Sequence, residues 1–339
     1  MTYALISGQG KPTPLHMAAA KGHIEVCQLI MDNIKDKNPM YTSKLSGSPL
    51  HHAAAEGHLD VCQLILNAIK GKCCKNRPHP TTFCTPLHLA AKNGHLEICR
   101  LIMDQVDDKN PEDKDNLPPL HFSAHSGHLE VCNLILNSLD LKEDILTTDL
   151  LIGSTIWFAA QSEEGRIEVC RFLMQYMEDK NPVIHEDDDP LLHKAVREGH
   201  LDLCRLIIDN IEEKNPQNES SQDTPLHVAA EMGHLEIAKL IISNLKDINP
   251  VNAHGSTPLH MAAKQGYLEI CQSILDCIDC KSHKNNEGLT PLHYAAENGH
   301  IEVCRIILEH PDPNTDELLT GPFLLASAKR HLEVCRLIQ

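Results

Sequence analysis

The chain has 339 residues and a formal net charge of −17 at pH 7, the wrong sign for a protein whose main partner is nucleic acid or an anionic membrane surface. With one Trp, five Tyr and five Phe, it has few aromatic platforms for stacking on single-stranded nucleic acid or for anchoring at a membrane interface. Apolar residues make up 42% of the chain, enough for a buried core, and a basic or amphipathic protein partner is favoured.

The first predicted element is a short helix that begins at the motif Thr13-Pro14-Leu15-His16. The threonine precedes the helix as a cap, and the proline suits the first turn because it has no N–H to leave unpaired. Gly22 is expected to end this helix in a left-handed conformation. A second amphipathic helix follows from His23 until the pair Asn38-Pro39 stops the pattern.

The same pair of helices recurs along the chain. Ten copies start near residues 13, 48, 85, 118, 154, 190, 224, 257, 290 and 321. The fifth copy is irregular, because Trp157 replaces the histidine and two extra residues precede Gly165. A period of about 33 residues predicts one continuous repeat array over residues 13–339 after a lead-in of residues 1–12, with no second domain.

The motif T-P-L-H-x-A-A-x-x-G-H-x-E-V at this period resembles the ankyrin repeat. The resemblance implies an all-α solenoid of helix-turn-helix units with projecting β-turn or hairpin loops. It also implies a concave surface of loop tips and first helices and a convex surface of second helices. One departure is expected: strings such as residues 32–39 predict a second helix about one turn longer than usual.

Histidines and cysteines mostly follow the repeat phase. Eight histidines occupy the T-P-L-H position and eight open the second helix, where they are expected to bridge backbone groups of neighbouring repeats. Nine cysteines share one position of the second helix, and Ala238 fills that position in a tenth repeat. A position that accepts alanine is interpreted as a buried small apolar slot rather than a metal ligand.

Five cysteines fall outside this phase: Cys73, Cys74, Cys84, Cys277 and Cys280. The string Cys277-x-x-Cys280-x-x-His283 has the spacing of zinc ligands but lacks a fourth ligand nearby. The group of Cys73, Cys74 and Cys84 around His79 leaves reactive loop thiols or a weak metal site as alternatives. A variable loop is the favoured interpretation, and neither a metal nor another cofactor is expected.

No catalytic motif accompanies the repeats: there is no glycine-rich phosphate loop, no G-x-S-x-G and no H-E-x-x-H. We therefore expect a non-enzymatic protein-interaction scaffold that binds a partner on the concave face of the array. It is expected to be soluble and monomeric, in the cytoplasm or the nucleus. Two alternatives stay open: the substrate-recruiting segment of a larger enzyme or channel, and a metal- or redox-responsive regulator. The apolar residues at both ends also suggest that the array joins further sequence.

Partner binding is expected where the repeat leaves positions free, at the loop tips and at the two residues before each Gly-His. Residues 140–223 carry most of the negative charge, which predicts an acidic patch on repeats five to seven that binds a basic segment of a partner; a solvated loop is the alternative. Trp157 is either an interface anchor or a filler at an irregular junction. The candidate partner-binding residues are Glu163, Glu164, Asp187, Asp188, Asp189, Arg197, Glu198, Glu231, Met232, Lys264 and Gln265.

One modification follows from the resemblance alone. Asparagines just before the loops of ankyrin repeats are often hydroxylated, and Asn249 is nearest to that pattern. The alternative is that Asn249-Pro250 only stops a helix.

Overall fold

A computed structural model describes residues 12–40, 47–71, 75–139, 145–162, 167–184, 189–245, 248–278, 281–310 and 319–339. The chain divides into two compact parts, Met1–Glu178 and Asp179–Gln339, which we term the N-terminal half and the C-terminal half. The candidate residues Glu163, Glu164, Asp187 and Asp188 lie outside the described residues, as do Cys73, Cys74 and Cys280.

The described residues of the N-terminal half form five pairs of helices. Odd numbers are first helices and even numbers are second helices: α1 (Pro14–Ala20), α2 (Ile24–Asn33), α3 (Pro49–Glu56), α4 (Leu59–Ala68), α5 (Pro86–Lys92), α6 (Leu96–Met103), α7 (Pro119–His125), α8 (Leu129–Ser138), α9 (Ile145–Ala160) and α10 (Ile167–Leu173). A 3₁₀ turn over Met174–Tyr176 follows. Each first helix packs on the next first helix and on its own second helix, so contacts run between neighbouring repeats.

The C-terminal half repeats this arrangement: α11 (Leu191–Arg197), α12 (Leu201–Asn210), α13 (Pro225–Met232), α14 (Leu235–Ser243), α15 (Pro258–Gln265), α16 (Leu268–Leu275), α17 (Pro291–Asn298), α18 (Ile301–Glu309), α19 (Thr320–Ala328) and α20 (Leu332–Ile338). In the described parts of the chain the only β-type pairing is an isolated bridge between Val183 and Pro190. The predicted all-α class is confirmed.

The T-P-L-H motif starts a first helix and joins it to the following repeat. In α5 the backbone N–H of Thr85 donates to Nδ1 of His88 at 3.0 Å, which closes a capping box. With Nδ1 accepting, Nε2 carries the proton and donates to the carbonyl of Leu117 at 3.0 Å in the next repeat. The C-terminal half repeats this bond from His227 to Ser256 at 2.9 Å. The expected bridging role of these histidines is confirmed.

The Gly-His pair interlocks adjacent repeats from the other direction. Gly57 ends α3 with φ +85°, and a Cβ there would lie 2.6 Å from the ring of His95 in the next repeat. His95 in turn places its Nε2 3.0 Å from the carbonyl of Ala55. The glycine is therefore needed both for its left-handed backbone and for the space that the following histidine occupies.

The second helix is shorter than expected. Helix α2 ends at Asn33, and Ile34 is already extended, with φ −118°. Lys37 donates from Nζ to the end carbonyls of Met31 and Ile34, and Asn38 Oδ1 accepts the N–H of Leu50 at the start of α3. The prediction of an extra helical turn is wrong because this string caps one helix and ties the next one to it.

The fifth repeat departs more than expected. Its first helix, α9, begins at Ile145 rather than near residue 154 and runs for 16 residues. Ser154 and Thr155 place their hydroxyls 3.1 and 3.2 Å from the two ring nitrogens of His121. Trp157 is half-buried beside the fully buried Ile156.

Candidate functional site

The in-phase cysteines have the environment of core residues. Those of the second helices are buried, except for the half-buried Cys335. Burial raises the pKa of Cys62 and of Cys99 to about 12. The small apolar slot is confirmed, because a protonated, enclosed thiol is neither a nucleophile nor a ready metal ligand.

Off-phase cysteines differ from one another. Cys84 is half-buried, and its thiol donates to Asp113 Oδ2 at 3.7 Å. Burial raises its pKa, which lowers the fraction of nucleophilic thiolate. Cys277 is exposed. Among the residues that the structure describes, no group of three or more His, Cys, Asp and Glu side chains is arranged to hold a metal ion.

Asp189 is buried rather than presented to solvent. Asp189 exposes only 6% of its surface. Its Oδ2 lies 2.7 Å from Nη2 of Arg197, and its Oδ1 accepts from Nδ2 of Asn218 at 2.8 Å. Burial alone would raise the pKa of Asp189, but the hydrogen bonds from Asn218 and Arg197 hold it below its usual range. Asp189 and Arg197 therefore already form an ion pair with each other before any partner binds.

This arrangement recurs one repeat later. Asp223 directly precedes Thr224-Pro225, the repeat position that Asp189 holds before Pro190-Leu191, and its Oδ1 accepts from Nδ2 of Asn252 at 2.8 Å. In the N-terminal half the thiol of Cys84, at the same position, reaches Asp113. In these three repeats the side chain at this position thus bonds to the next loop. The signal in the sequence was the repeat position that Asp189 shares with Asp223, which separates Asp189 from the acidic run. Counting charges over residues 140–223 did not show this.

The other described candidates lie at the ends of first helices in the C-terminal half. Glu198, Met232, Lys264 and Gln265 are exposed, and Glu231 is half-buried. They follow or close α11, α13 and α15 just before a glycine. Because these helices pack side by side, the five residues form a row along one edge of the helix layer.

Lys264 also borders a groove between α15, α17 and their preceding loops, which we term the first-helix groove. Its volume is about 300 Å³, and its lining residues are His254, Ser256, His260, Met261, Lys264, Asn285, Asn286, Glu287 and Tyr294. The Nζ atom of Lys264 lies 6.0 Å from the ring centroid of Tyr294, within cation–π range. The Tyr294 hydroxyl accepts from Nδ2 of Asn285 at 3.0 Å, which fixes the ring.

His260 supports the base of this groove as a neutral side chain. Burial lowers its pKa to about 4, and its ring meets that of Tyr294 edge to face at 6.1 Å between centroids. The groove therefore combines apolar walls, Met261 and Tyr294, with a charged rim of Lys264 and Glu287. Both wall residues were missed from sequence. Each occupies the variable position directly after the T-P-L-H histidine, and that variability was the available signal.

Asn249 is half-buried at the start of its loop. The asparagines at the equivalent position join repeats: Asn181 Oδ1 accepts the N–H of Leu192 at 2.7 Å, and Asn215 Oδ1 accepts that of Leu226 at 3.1 Å. At Asn181 and Asn215 this position thus has a structural role beyond stopping a helix. Hydroxylation of Asn249 stays a prediction.

Comparison with known proteins adds one match. A family model described as ankyrin repeats in three copies matches residues 2–78, 72–149, 156–252, 240–317 and 259–338. No curated protein matches the chain. Within the described ranges, every helix is too short or too polar to span a membrane.

Proposed function

Because the chain belongs to the ankyrin-repeat family, whose repeats are generally protein-interaction modules, we propose that it is a protein-binding scaffold without catalytic activity of its own. The observation that carries the proposal is the first-helix groove together with the neighbouring row of exposed side chains. Histidine and glycine contacts that recur between repeats stabilise the helix layer that presents these side chains. Residue types therefore differ between repeats mainly at the surface.

We place the partner on the C-terminal half, in the first-helix groove and along the row. Tyr294 and Met261 supply a fixed aromatic and aliphatic wall, the kind of surface on which binding energy concentrates. Met232, at 37% exposure, extends the apolar contact along the row. Lys264 and Glu287 at the rim would orient the bound segment rather than supply most of its affinity.

The proposed partner presents a basic segment. The net charge of −17 favours it, and Glu198, Glu231 and Glu287 add carboxylates at the row and the groove rim. The protein would act as a monomer in the cytoplasm or nucleus, because a large net charge opposes self-association and the described cysteines are all free thiols, as in reducing compartments.

The test begins with proximity labelling around the intact chain and continues with titration of purified partners. Tyr294→Ala should weaken binding about tenfold or more, since truncating an aromatic anchor typically costs at least 1–2 kcal/mol. Raising the salt concentration should slow association with little change in dissociation, as expected for a charge-steered complex.

Arg205→Ala is the matched control, because Arg205 is exposed on the second helix α12 and should leave affinity within about twofold. An affinity that ignores Tyr294→Ala but falls with Arg205→Ala would move the partner to the second-helix side and reject the proposed groove.

A further inference from the structure

A second surface lies in the N-terminal half, where Phe83 occupies an unusual backbone position. Its φ is +53° and the residue is 50% exposed. In later repeats the same position, two residues before Thr-Pro, holds Gly255 at φ +69° and Gly288 at φ +79°. A large aromatic residue is thus held in a conformation that suits glycine, with half of its surface in water.

Phe83 lines a groove of about 420 Å³ between two successive loops, which we term the Phe83 groove. Pro78, Val106 and Pro111 form the rest of its apolar wall. Its charged lining residues are all carboxylates: Asp107, Asp108 and Glu112, each exposed. An apolar floor with an acidic rim suits a side chain that is apolar along its length, or neighbouring apolar and basic side chains.

The groove one repeat earlier has the opposite charge. It measures about 490 Å³, and we term it the basic groove. Lys35, Lys70 and Arg77 line it and are exposed, whereas Lys37 is engaged at the end of α2. One lining residue is a carboxylate, the exposed Asp36, whose Oδ1 accepts the N–H of Asn38 at 3.0 Å. The lining still carries a net positive charge. Arg77 faces this groove, while its neighbours Asn76 and Pro78 line the Phe83 groove. One short stretch of loop therefore separates an acidic site from a basic one.

We propose that the two grooves together bind an extended segment of a partner protein. An apolar and a basic side chain of that segment occupy the Phe83 groove, and an acidic side chain faces Lys35, Lys70 and Arg77. Neighbouring helices lie roughly 8–10 Å apart, and an extended chain rises about 3.3 Å per residue, so the acidic and basic positions are about three residues apart. The carboxylates of the Phe83 groove would repel a nucleic acid backbone crossing both sites.

This surface is separate from the first-helix groove and does not depend on it. The probe is a random ten-residue peptide library displayed on phage and selected on the intact chain, after which enriched peptides are synthesised and titrated by fluorescence polarisation. Enriched peptides should combine a basic and an apolar residue with an acidic residue about three positions away.

Phe83→Gly should weaken the selected peptides about tenfold or more. This variant removes the ring while giving the backbone the residue that it suits, so its melting temperature should be at least that of the parent chain and a loss of binding cannot be assigned to unfolding. Gln222→Gly is the matched control, because Gln222 has φ +56° at the same repeat position in the C-terminal half. It should leave peptide affinity unchanged, as should Tyr294→Ala.

The charges are tested by Glu112→Lys and Arg77→Glu, each expected to weaken binding about threefold at low salt. The effect of each should disappear when the complementary residue of the peptide is replaced by alanine. The proposal is overturned if no peptide is enriched relative to Phe83→Gly, if the enriched peptides lack the charge pattern, or if their affinity is indifferent to Phe83.

Discussion

At the scale of single residues, two neighbouring repeats decide what one position tolerates. Gly266 has φ +83°, and a Cβ there would lie 2.5 Å from the ring of His300. Gly288, in the same half, has φ +79° but no atom within 4 Å of the equivalent Cβ position. Both glycines need a left-handed backbone. Only Gly266 must also leave space for the ring of a neighbouring histidine.

Gly266→Ala should therefore lower the free energy of unfolding by about 2–4 kcal/mol, because left-handed strain and a steric clash add. Gly288→Ala should lower it by only about 1–2 kcal/mol, the cost of the backbone alone. Urea titration of both variants measures the difference. Equal losses would mean that the histidine ring moves aside without cost.

Asp189 gives a second residue-scale prediction. Asp189→Lys should lower the free energy of unfolding by about 1–3 kcal/mol, because Asn218 and Arg197 both lose their acceptor. Glu219→Lys changes the charge equally on an exposed loop position and should stay within about 0.5 kcal/mol. If the two variants melt at the same temperature, Asp189 has no structural role and again becomes a free carboxylate of the acidic patch.

At the scale of elements, the ends of the second helices α2 and α12 depend on a lysine side chain from the loop that follows. Lys214 donates from Nζ to the carbonyls of Ile208, at 2.5 Å, and Ile211, which α12 leaves without helical partners. Because the lysine takes the place of further helical turns, the loop leaves the helix at Ile211 and the following Asn215 can reach the N–H of Leu226.

Lys214→Met keeps the length of the side chain but removes the donor, and should lower the free energy of unfolding by about 1–2 kcal/mol. Lys239→Met is the control, since Lys239 is exposed on α14 and forms a surface ion pair with Glu236. A loss for Lys214→Met no larger than that of the control would show that solvent satisfies these carbonyls equally well.

At the scale of the whole molecule, the repeated histidines make stability depend on pH. Burial lowers the pKa of His51 to about 3 and that of His16 and of His260 to about 4. These groups stay neutral in the folded chain but accept protons near pH 6.5 when it unfolds. The free energy of unfolding that depends on these neutral histidines is thus fully present above about pH 6.5. It is lost as the pH falls towards the pKa that they have in the folded chain.

The urea midpoint should accordingly fall steadily from pH 7 to pH 5. A fully buried histidine such as His51 contributes a loss of up to about 1.4 kcal/mol for each pH unit below 6.5, and several such residues act together. His51→Asn should reduce the slope of stability against pH even if it lowers stability at pH 7. A midpoint that is the same at pH 7 and pH 5 would contradict the neutral assignment.

The sequence by itself determined the features that repeat. The placement of T-P-L-H predicted the starts of most first helices, the histidine phase predicted bridges such as His88 to Leu117, and the cysteine phase predicted a buried slot. Each of these features depends on a motif within one repeat and on a neighbouring repeat with the same motif. The period of the sequence is therefore enough to predict them.

Tertiary structure alone decided where the repeats differ from one another. Asp189 looked like part of an acidic run until its bonds to Arg197 and Asn218 were seen. Cys84 looked like an unpaired loop thiol until its hydrogen bond to Asp113 was seen. The Phe83 groove likewise needs residues from two loops. In each case the partner lies in another loop or on a helix, often about one repeat away, and the environment of a side chain follows from packing between repeats rather than from its local sequence.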